Sequence, residues 1–349
     1  MPASLSKASR VWLVVTAVLA GLTLISYLVP RGDTARSQTM SSSFDLQGHR
    51  GARGLYPENS LPGFEGALAL GVTTLEMDVG MTRDAVLVVH HDQQLSPERT
   101  RGPDGAWLEG PGPALVELDF AQLRGYDVGR LRPDSKSARR FPGQAGLDSV
   151  TVPSLEAVFA RTEALSGGSI RYNIETKISP LAPAESPAPE AFAAALVGAV
   201  QKAGAAGRTT LQSFDWRTLK MAQDLAPEIA TAYLTAEQNW LDNVERGRPG
   251  ASPWTAGLDV DAFEGSVPRL IEQAGGRVWS PFYGDLREVD LREARNLGLK
   301  VVPYTVNDPA DMATLIDLGV DGIITDYPDR LRGVMAEKGM ALPPAFPLN

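Results

Sequence analysis

All three histidines of this 349-residue chain lie within one short stretch, together with two closely spaced acidic residues. The histidines are His49, His90 and His91, and the acidic residues are Glu76 and Asp78. Histidine titrates near neutral pH, so it is well suited to moving protons. Two carboxylates at alternate positions of a strand point to the same side, where they repel each other unless a cation lies between them. The stretch therefore predicts acid–base chemistry beside a hard divalent cation.

A hairpin is expected to fold the later histidines back over the acidic pair. Residues 72–78 and 86–89 read as two strands joined by a short turn. A two-residue turn would place His91 opposite Glu76, and a shift by one residue would still leave it between the two carboxylates. His90 then points to the other face, so we interpret it as structural.

Further motifs follow along the chain, and together they resemble a known family. They are HRG at 49–51, PEN at 57–59, E-x-D at 76–78, HD at 91–92, N-I-E-x-K at 173–177, Q-S-F at 212–214 and Y-T-V-N at 304–307. In combination they resemble the signature of the glycerophosphodiester phosphodiesterase family over roughly residues 46–331. Tyr304 stands where that family more commonly has Trp. Residues 319–328 resemble the closing strand and loop, and we expect them to serve barrel closure rather than chemistry.

The resemblance implies a metal site and a pair of catalytic histidines. The expected metal ligands are Glu76, Asp78 and Glu175, whose oxygen atoms suit Mg²⁺ or Ca²⁺, with Mn²⁺ possible. His49 and His91 are the expected catalytic pair, with His49 favoured as the base and His91 as the acid. The residues expected to bind the substrate or its phosphate are Arg50, Lys177, Glu58 and Asn307, with Glu58 also a weaker candidate metal ligand.

The implied reaction is metal-dependent hydrolysis of a glycerophosphodiester to sn-glycerol 3-phosphate and an alcohol. A free glycerol hydroxyl beside the phosphate could itself be the nucleophile, giving a cyclic phosphate that water then opens. Two alternatives remain open at this point. One is a lysophospholipase D or sphingomyelinase D-like hydrolase of membrane lipids, and the other is a non-catalytic surface binding protein.

Alternating strand-like and helix-like segments predict an α/β protein with eight β/α units. The candidate strands after the hairpin are residues 169–176, 209–214, 229–234, 277–281, 300–306 and 322–325. The candidate helices after the hairpin are residues 154–165, 189–203, 216–225, 286–297 and 309–318. A doubly wound sheet would also fit this pattern, but the resemblance favours a TIM (β/α)₈ barrel.

The barrel is expected to span residues 44–335, with 336–349 as a C-terminal tail. Residues 99–150 are rich in Gly, Pro, Asp and Arg, and they are predicted to form an inserted lid or subdomain at the barrel mouth. A disordered loop is the alternative for residues 131–146.

The N-terminal segment 11–29 contains nineteen residues without a charge, preceded by Lys7 and Arg10. A transmembrane helix needs about twenty apolar residues. We interpret this segment as a signal anchor, with residues 1–10 cytoplasmic and 30–43 a linker. The catalytic domain would then be extracytoplasmic, on the periplasmic side of the inner membrane. A cleaved signal peptide, giving a secreted or periplasmic protein, is the alternative.

Composition excludes several other kinds of site. A net charge of −9 argues against a nucleic-acid-binding surface, since such surfaces are basic. The chain contains no cysteine, which excludes disulfides, thiolate metal sites and cysteine nucleophiles.

Overall fold

A computed structural model describes residues 44–348, and the fold within this range is built around a parallel sheet. The predicted signal anchor at 11–29 and its linker lie outside the described residues. Between residues 44 and 348, no helix combines the length and apolar character needed to cross a bilayer.

The strands of the described residues are β1 Asp45–Gly48, β2 Thr74–Met81, β3 Leu87–Val89, β4 Arg171–Thr176, β5 Thr209–Ser213, β6 Ala230–Thr235, β7 Glu237–Gln238, β8 Leu241–Asp242, β9 Val278–Pro281, β10 Lys300–Val301 and β11 Gly322–Thr325. Eight of them are parallel and follow one another around the sheet in the order β10, β9, β6, β5, β4, β2, β1 and β11. The short strand β3 pairs antiparallel with β2 outside this path, and β7 and β8 form a separate hairpin.

Backbone hydrogen bonds bring the two ends of this path together. The N–H of Asp321 donates to the Val301 carbonyl at 2.9 Å, and that of Ile324 to the Pro303 carbonyl at 3.0 Å. The sheet is therefore nearly closed and TIM-barrel-like, as predicted. Strand β10 is much shorter than the predicted 300–306, although the N–H groups of Val302 and Tyr304 still donate to the Trp279 and Pro281 carbonyls of β9.

Helices follow most of the strands and cover the outside of the sheet. Those of the described residues are Leu61–Leu70, Phe120–Leu123, Lys136–Arg140, Leu155–Ser166, Pro189–Lys202, Trp216–Leu225, Val267–Gln273, Glu288–Asn296, Pro309–Leu318 and Pro328–Glu337. The sequence did not predict Val267–Gln273 or Pro328–Glu337. Each carries a proline in its first turn, and proline at this position is a signal for the start of a helix.

The helix Leu61–Leu70 fixes the loop that precedes it, which carries the HRG and PEN motifs. The Ser60 hydroxyl accepts from the Gly63 N–H at 3.1 Å and so caps the first turn. The helix ends at Gly71, whose φ of 88° favours glycine. Its buried face, which includes Phe64, packs into the main core between sheet and helices.

Residues 99–150 form a packed subdomain beside the barrel mouth. Together with strand β3 and residues 95 and 152 they enclose a second hydrophobic cluster of Val88, Leu95, Leu115, Leu123, Val128 and Val152. Residues 131–146 include the helix Lys136–Arg140 and the buried Phe141. The subdomain also reaches the HRG loop, because the Gln144 side chain donates to the Arg53 carbonyl at 2.7 Å and the Ala145 N–H donates to the Leu55 carbonyl at 2.8 Å.

Substitution of Leu123 by alanine should loosen this subdomain. The side chain is fully buried in the second cluster, so its truncation should lower the local free energy of unfolding by about 2–4 kcal/mol. Hydrogen exchange at backbone amides of residues 99–150 measures the change. Leu181→Ala is the matched control, since Leu181 is 71% exposed. Equal exchange in the two variants would contradict the packed second core.

Candidate active site

A cavity of about 360 Å³ opens where several barrel strands end. Six of the nine predicted site residues line it: His49, Arg50, Glu76, His91, Glu175 and Lys177. Asp78 lies next to them within the acidic cluster. Glu58 and Asn307 do not line the cavity, and their side chains make other contacts described below.

The three predicted metal ligands form one buried cluster. Strands β2 and β4 pair in parallel so that Asp78 lies beside Glu175, with Glu76 two residues earlier on β2. One carboxylate oxygen from each residue lies within 4.8 Å of the other two. The Asp78 Oδ1 is buried without a hydrogen-bond donor among the described residues. Three convergent oxygen ligands, one of them unsatisfied, fit a hard divalent cation such as Mg²⁺ or Ca²⁺.

Electrostatics support the same interpretation of the cluster. Burial and the charge of Asp78 raise the pKa of Glu76 well above its usual value. Burial raises the pKa of Glu175 to about 7, against the opposing charge of Lys177. Burial also acts to raise the pKa of Asp78, but the charge of Arg50 leads the effects that outweigh burial and lower it. The cluster therefore needs more positive charge than the protein provides before all three carboxylates can ionise.

The HRG loop positions Arg50 against two of these carboxylates. Arg50 has a φ of 51°, and its backbone N–H donates to Glu76 Oε2 at 2.8 Å. Its guanidinium Nε lies 3.1 Å from Asp78 Oδ2. Gly51 makes this loop possible, since its φ is 89° and a Cβ there would lie 2.7 Å from the backbone of Gly63. Arg50 is thus fixed by both its backbone and its side chain.

His49 is held by Asp326, which was expected to serve barrel closure rather than chemistry. Its Nδ1 lies 2.6 Å from Asp326 Oδ1, at the end of β11, and its Nε2 lies 3.9 Å from Glu76 Oε2. Asn307, expected to bind substrate, instead donates from Nδ2 to Asp326 Oδ2 at 2.7 Å and accepts the Asp326 N–H at 2.9 Å. Asn307 and Asp326 therefore act together on the orientation of the His49 ring.

The hairpin register differs by one residue from that of the predicted two-residue turn. Val79 pairs with Val89, because the loop contains three residues and ends at Ala85 with a φ of 59°. The His90 N–H accordingly donates to the Asp78 carbonyl at 3.0 Å. This is the shift by one residue that the sequence prediction allowed for. Strand β3 ends at Val89, so the chain beyond the paired strand, rather than the ladder itself, brings the His91 ring to the cavity.

The two histidines of this strand have different surroundings. The His91 Nδ1 lies 2.6 Å from Asp92 Oδ1, and the ring lines the cavity. Asp92 in turn forms an ion pair with Arg99. His90 is buried away from the cavity lining, with its Nδ1 2.8 Å from the Asp92 carbonyl oxygen. The geometry favours His91 for chemistry and a structural role for His90.

Glu58 lies among arginines, and no contact joins its carboxylate to the acidic cluster. It is 2.6 Å from Arg53, 2.9 Å from Arg50 and 3.5 Å from Arg99. Burial alone would raise the pKa of Glu58, but the three guanidinium groups together hold it well below its usual value. Its contacts indicate that it orders these cations. Lys177, in contrast, contacts the cluster directly, with its Nζ 2.7 Å from Glu175 Oε1.

Two amides complete the surroundings of the cluster. The Asn59 Nδ2 donates to Asp78 Oδ2 at 2.8 Å, a contact that the sequence did not predict. The Gln212 Nε2 donates to Glu76 Oε1 at 2.7 Å. Below them, Asn173 donates from Nδ2 to Gln212 Oε1 at 2.9 Å and to Gln47 Oε1 at 2.8 Å. Gln47, Asn173 and Gln212 thus form a hydrogen-bonded set that leads from the barrel interior to Glu76.

Comparison with known proteins gives a consistent result. The chain is 28% identical to the glycerophosphodiester phosphodiesterase of Bacillus subtilis, over 88% of this chain and 92% of that protein. A crystal structure from Silicibacter pomeroyi, described as a glycerophosphoryl diester phosphodiesterase, is 34% identical over 86% of this chain and 96% of its own, with a TM-score of 0.77. An Oleispira antarctica phosphodiesterase, solved in complex with sn-glycerol-3-phosphate, shares the fold with a TM-score of 0.60 at 21% identity, over 84% of this chain and 96% of its own.

The sequence model of the glycerophosphoryl diester phosphodiesterase family matches residues 49–330, which include every predicted site residue. This range also contains seven of the eight parallel strands, and the remaining strand, β1, ends at Gly48, directly before the range begins. The chain belongs to the glycerophosphoryl diester phosphodiesterase family.

Proposed function

We propose that this chain hydrolyses glycerophosphodiesters to sn-glycerol 3-phosphate and an alcohol, with one divalent cation and with His49 and His91 as the acid–base pair. The observation that supports the proposal is that three buried carboxylates lie together beside a cavity that His49 and His91 both line. Family membership supports the reaction class, and a relative of the same fold has been solved with sn-glycerol-3-phosphate.

Substrate binding rests on the positive groups at the cavity. Glu76, Asp78 and Glu175 would hold the cation, which when bound offsets negative charge on the phosphoryl oxygens. Arg50 and Lys177 line the same cavity, and we expect them to donate hydrogen bonds to those oxygens. Both cations are fixed by ion pairs before substrate arrives, so little reorganisation is needed.

We assign the base to His49 and the acid to His91. The Asp326 side chain that accepts from His49 is fully buried, whereas that of Asp92 beside His91 is 36% exposed. A buried carboxylate stabilises the imidazolium that a base must form more strongly than an exposed one does. Burial and the charges of Arg50 and Lys177 lower the pKa of His91 to about 3. An anionic phosphodiester bound beside those charges would offset them, so that His91 can carry the proton it gives away.

The reaction then has a simple balance of bonds. His49 takes a proton from the attacking hydroxyl, a new P–O bond forms, and the P–O bond to the alcohol breaks as His91 protonates the leaving oxygen. If the attacking group is the glycerol hydroxyl, water subsequently opens the cyclic phosphate and the histidines exchange roles. If it is water, sn-glycerol 3-phosphate forms directly.

Removal of the metal should abolish activity, and re-addition should restore it. Chelator treatment followed by Mg²⁺, Ca²⁺ or Mn²⁺ is assayed by sn-glycerol 3-phosphate release. Asp78→Asn should lower kcat/KM at least about 100-fold and weaken cation binding measured by calorimetry, because it removes a charged ligand. Glu288→Gln is the matched control, since the Glu288 side chain is 67% exposed. Full activity of the chelated wild-type enzyme would refute metal dependence.

Asp326→Asn should lower kcat about 100-fold or more while leaving thermal unfolding nearly unchanged. The amide keeps the hydrogen-bonding shape, but it loses the charge and can impose the wrong histidine tautomer. Asp92→Asn should have a smaller effect, because Asp92 is partly exposed. Steady-state kinetics on both variants tests the assignment, and a larger loss in Asp92→Asn would reverse the roles of the histidines.

We also propose that segment 11–29 anchors the chain, with the catalytic domain extracytoplasmic, because nineteen uncharged residues follow two basic ones. The full chain should sediment with membranes and resist alkaline extraction, and its catalytic domain should be digested by protease added from the outside. A chain lacking residues 1–43 should remain in the supernatant. Release of the full chain by alkali, or a mature N-terminus beyond residue 29, would contradict the anchor.

A further inference from the structure

The cavity has two chemically different halves. Its cationic lining residues, Arg50, Arg53, Arg140 and Lys177, come from the loop after β1, the inserted subdomain and the end of β4. Its aromatic lining residues come from the loops after β5, β6, β9 and β10, which are consecutive in the sheet. We call this second set the aromatic wall: Phe214, Trp240, Phe282 and Tyr304.

The rings of the aromatic wall form a continuous series of edge contacts. The ring centroids of Phe214 and Tyr304 are 5.7 Å apart, and the rings are nearly perpendicular at 85°. Those of Tyr304 and Phe282 are 6.2 Å apart, and those of Phe282 and Trp240 are 5.8 Å apart at 82°. Perpendicular neighbours present both faces and edges to the cavity. Such an arrangement can surround a compact cation with ring faces.

Trp240 is 59% exposed, and its ring contacts that of Phe282. It lies in the two-residue turn of the β7–β8 hairpin, at the rim of the cavity. Asp285 accepts from the Glu237 N–H at 2.8 Å and from Gln238 Nε2 at 2.5 Å, and so ties this hairpin to the turn that follows Phe282. A braced and exposed tryptophan at a cavity rim is typical of a ligand contact.

The surroundings of the aromatic wall favour a positive group. Among the described residues that line the cavity, no Lys or Arg comes from the loops that carry the aromatic wall. Burial and the negative charges of Glu175 and Asp285 raise the pKa of Tyr304 well above its usual value. A cavity of about 360 Å³ also suits a compact head group better than a long acyl chain.

We propose that Trp240, at the outer end of the aromatic wall, selects glycerophosphodiesters whose leaving alcohol carries a quaternary ammonium group. The proposal rests on the proposed function and adds a determinant of specificity to it. A quaternary ammonium has no N–H and is weakly hydrated, so ring faces replace its solvent well. A primary ammonium needs hydrogen-bond acceptors, which four aromatic rings supply poorly.

Steady-state kinetics on the metal-loaded full chain tests this proposal. We expect a higher kcat/KM for glycerophosphocholine than for glycerophosphoethanolamine, with sn-glycerol 3-phosphate release as the common readout. Trp240→Leu should lower this ratio by about two- to fivefold, the size of one exposed cation–π contact. Trp240→Phe should retain part of the ratio. Trp107→Leu is the matched control, because Trp107 lies in the inserted subdomain and does not line the cavity.

Each result has a defined meaning. The proposal would be overturned if Trp240→Leu left the ratio of kcat/KM for glycerophosphocholine to that for glycerophosphoethanolamine unchanged. It would also be overturned if Trp240→Leu lowered activity only on lysophosphatidylcholine, because that result would indicate a contact with the acyl chain. Calorimetric binding of the two glycerophosphodiesters to the His91→Ala variant, with and without Trp240→Leu, measures the same preference without turnover. If the wild-type enzyme released no product from either substrate, the proposed function would fail, and the calorimetric ratio would still decide for or against the aromatic wall.

Discussion

Mutual repulsion of three buried carboxylates is the constraint on which the rest of the site depends. Glu76, Asp78 and Glu175 share one small region from which water is largely excluded, and each raises the cost of ionising the others. Positive groups and hydrogen-bond donors of the protein offset part of this repulsion. Arg50 contributes its backbone N–H and its guanidinium, and Lys177 contributes its ammonium group. A divalent cation bound among the three carboxylates would supply the positive charge that is still lacking.

This constraint explains why the HRG loop and the helix after it are so tightly built. The loop must deliver a backbone N–H to Glu76 and a guanidinium to Asp78 at once, which requires left-handed backbone at two consecutive residues, Arg50 and Gly51. Asn59, also in the left-handed region, closes the same loop onto Asp78. Left-handed backbone at the non-glycine residues Arg50 and Asn59 lowers the stability of the fold. The packing of the helix that begins at residue 61 into the core offsets this cost.

The sequence predicted what local periodicity can reveal. Alternation along one strand placed Glu76 and Asp78 on a shared face, and the hairpin returned the chain so that His91 lines the same cavity. The exact register escaped prediction, because the left-handed conformation of Ala85 that lengthens the loop carries no signal in an alanine. Asp326 was missed for another reason. Its partner, His49, is 277 positions away, and only closure of the barrel brings β1 beside β11.

Residues around the cavity rim were the hardest to foresee. The hairpin that carries Trp240 has strands of only two residues each, too short for a periodic pattern. Its place depends on Asp285, from a different strand–helix connection. Such contacts between separate loops arise from tertiary packing, so no segment taken alone contains them.

Hydrogen bonds inside the barrel fix the orientation of three side-chain amides, those of Gln47, Asn173 and Gln212. Asn173 offers its N–H groups both to Gln47 and to Gln212, and Gln212 in turn points its own N–H toward Glu76. An amide oxygen and an amide nitrogen cannot exchange places here without breaking two bonds at once. Because its oxygen accepts from Asn173, Gln212 presents an N–H group, and not an oxygen atom, to Glu76. A glutamate in place of Gln212 would turn the last of these amides into a fourth acid.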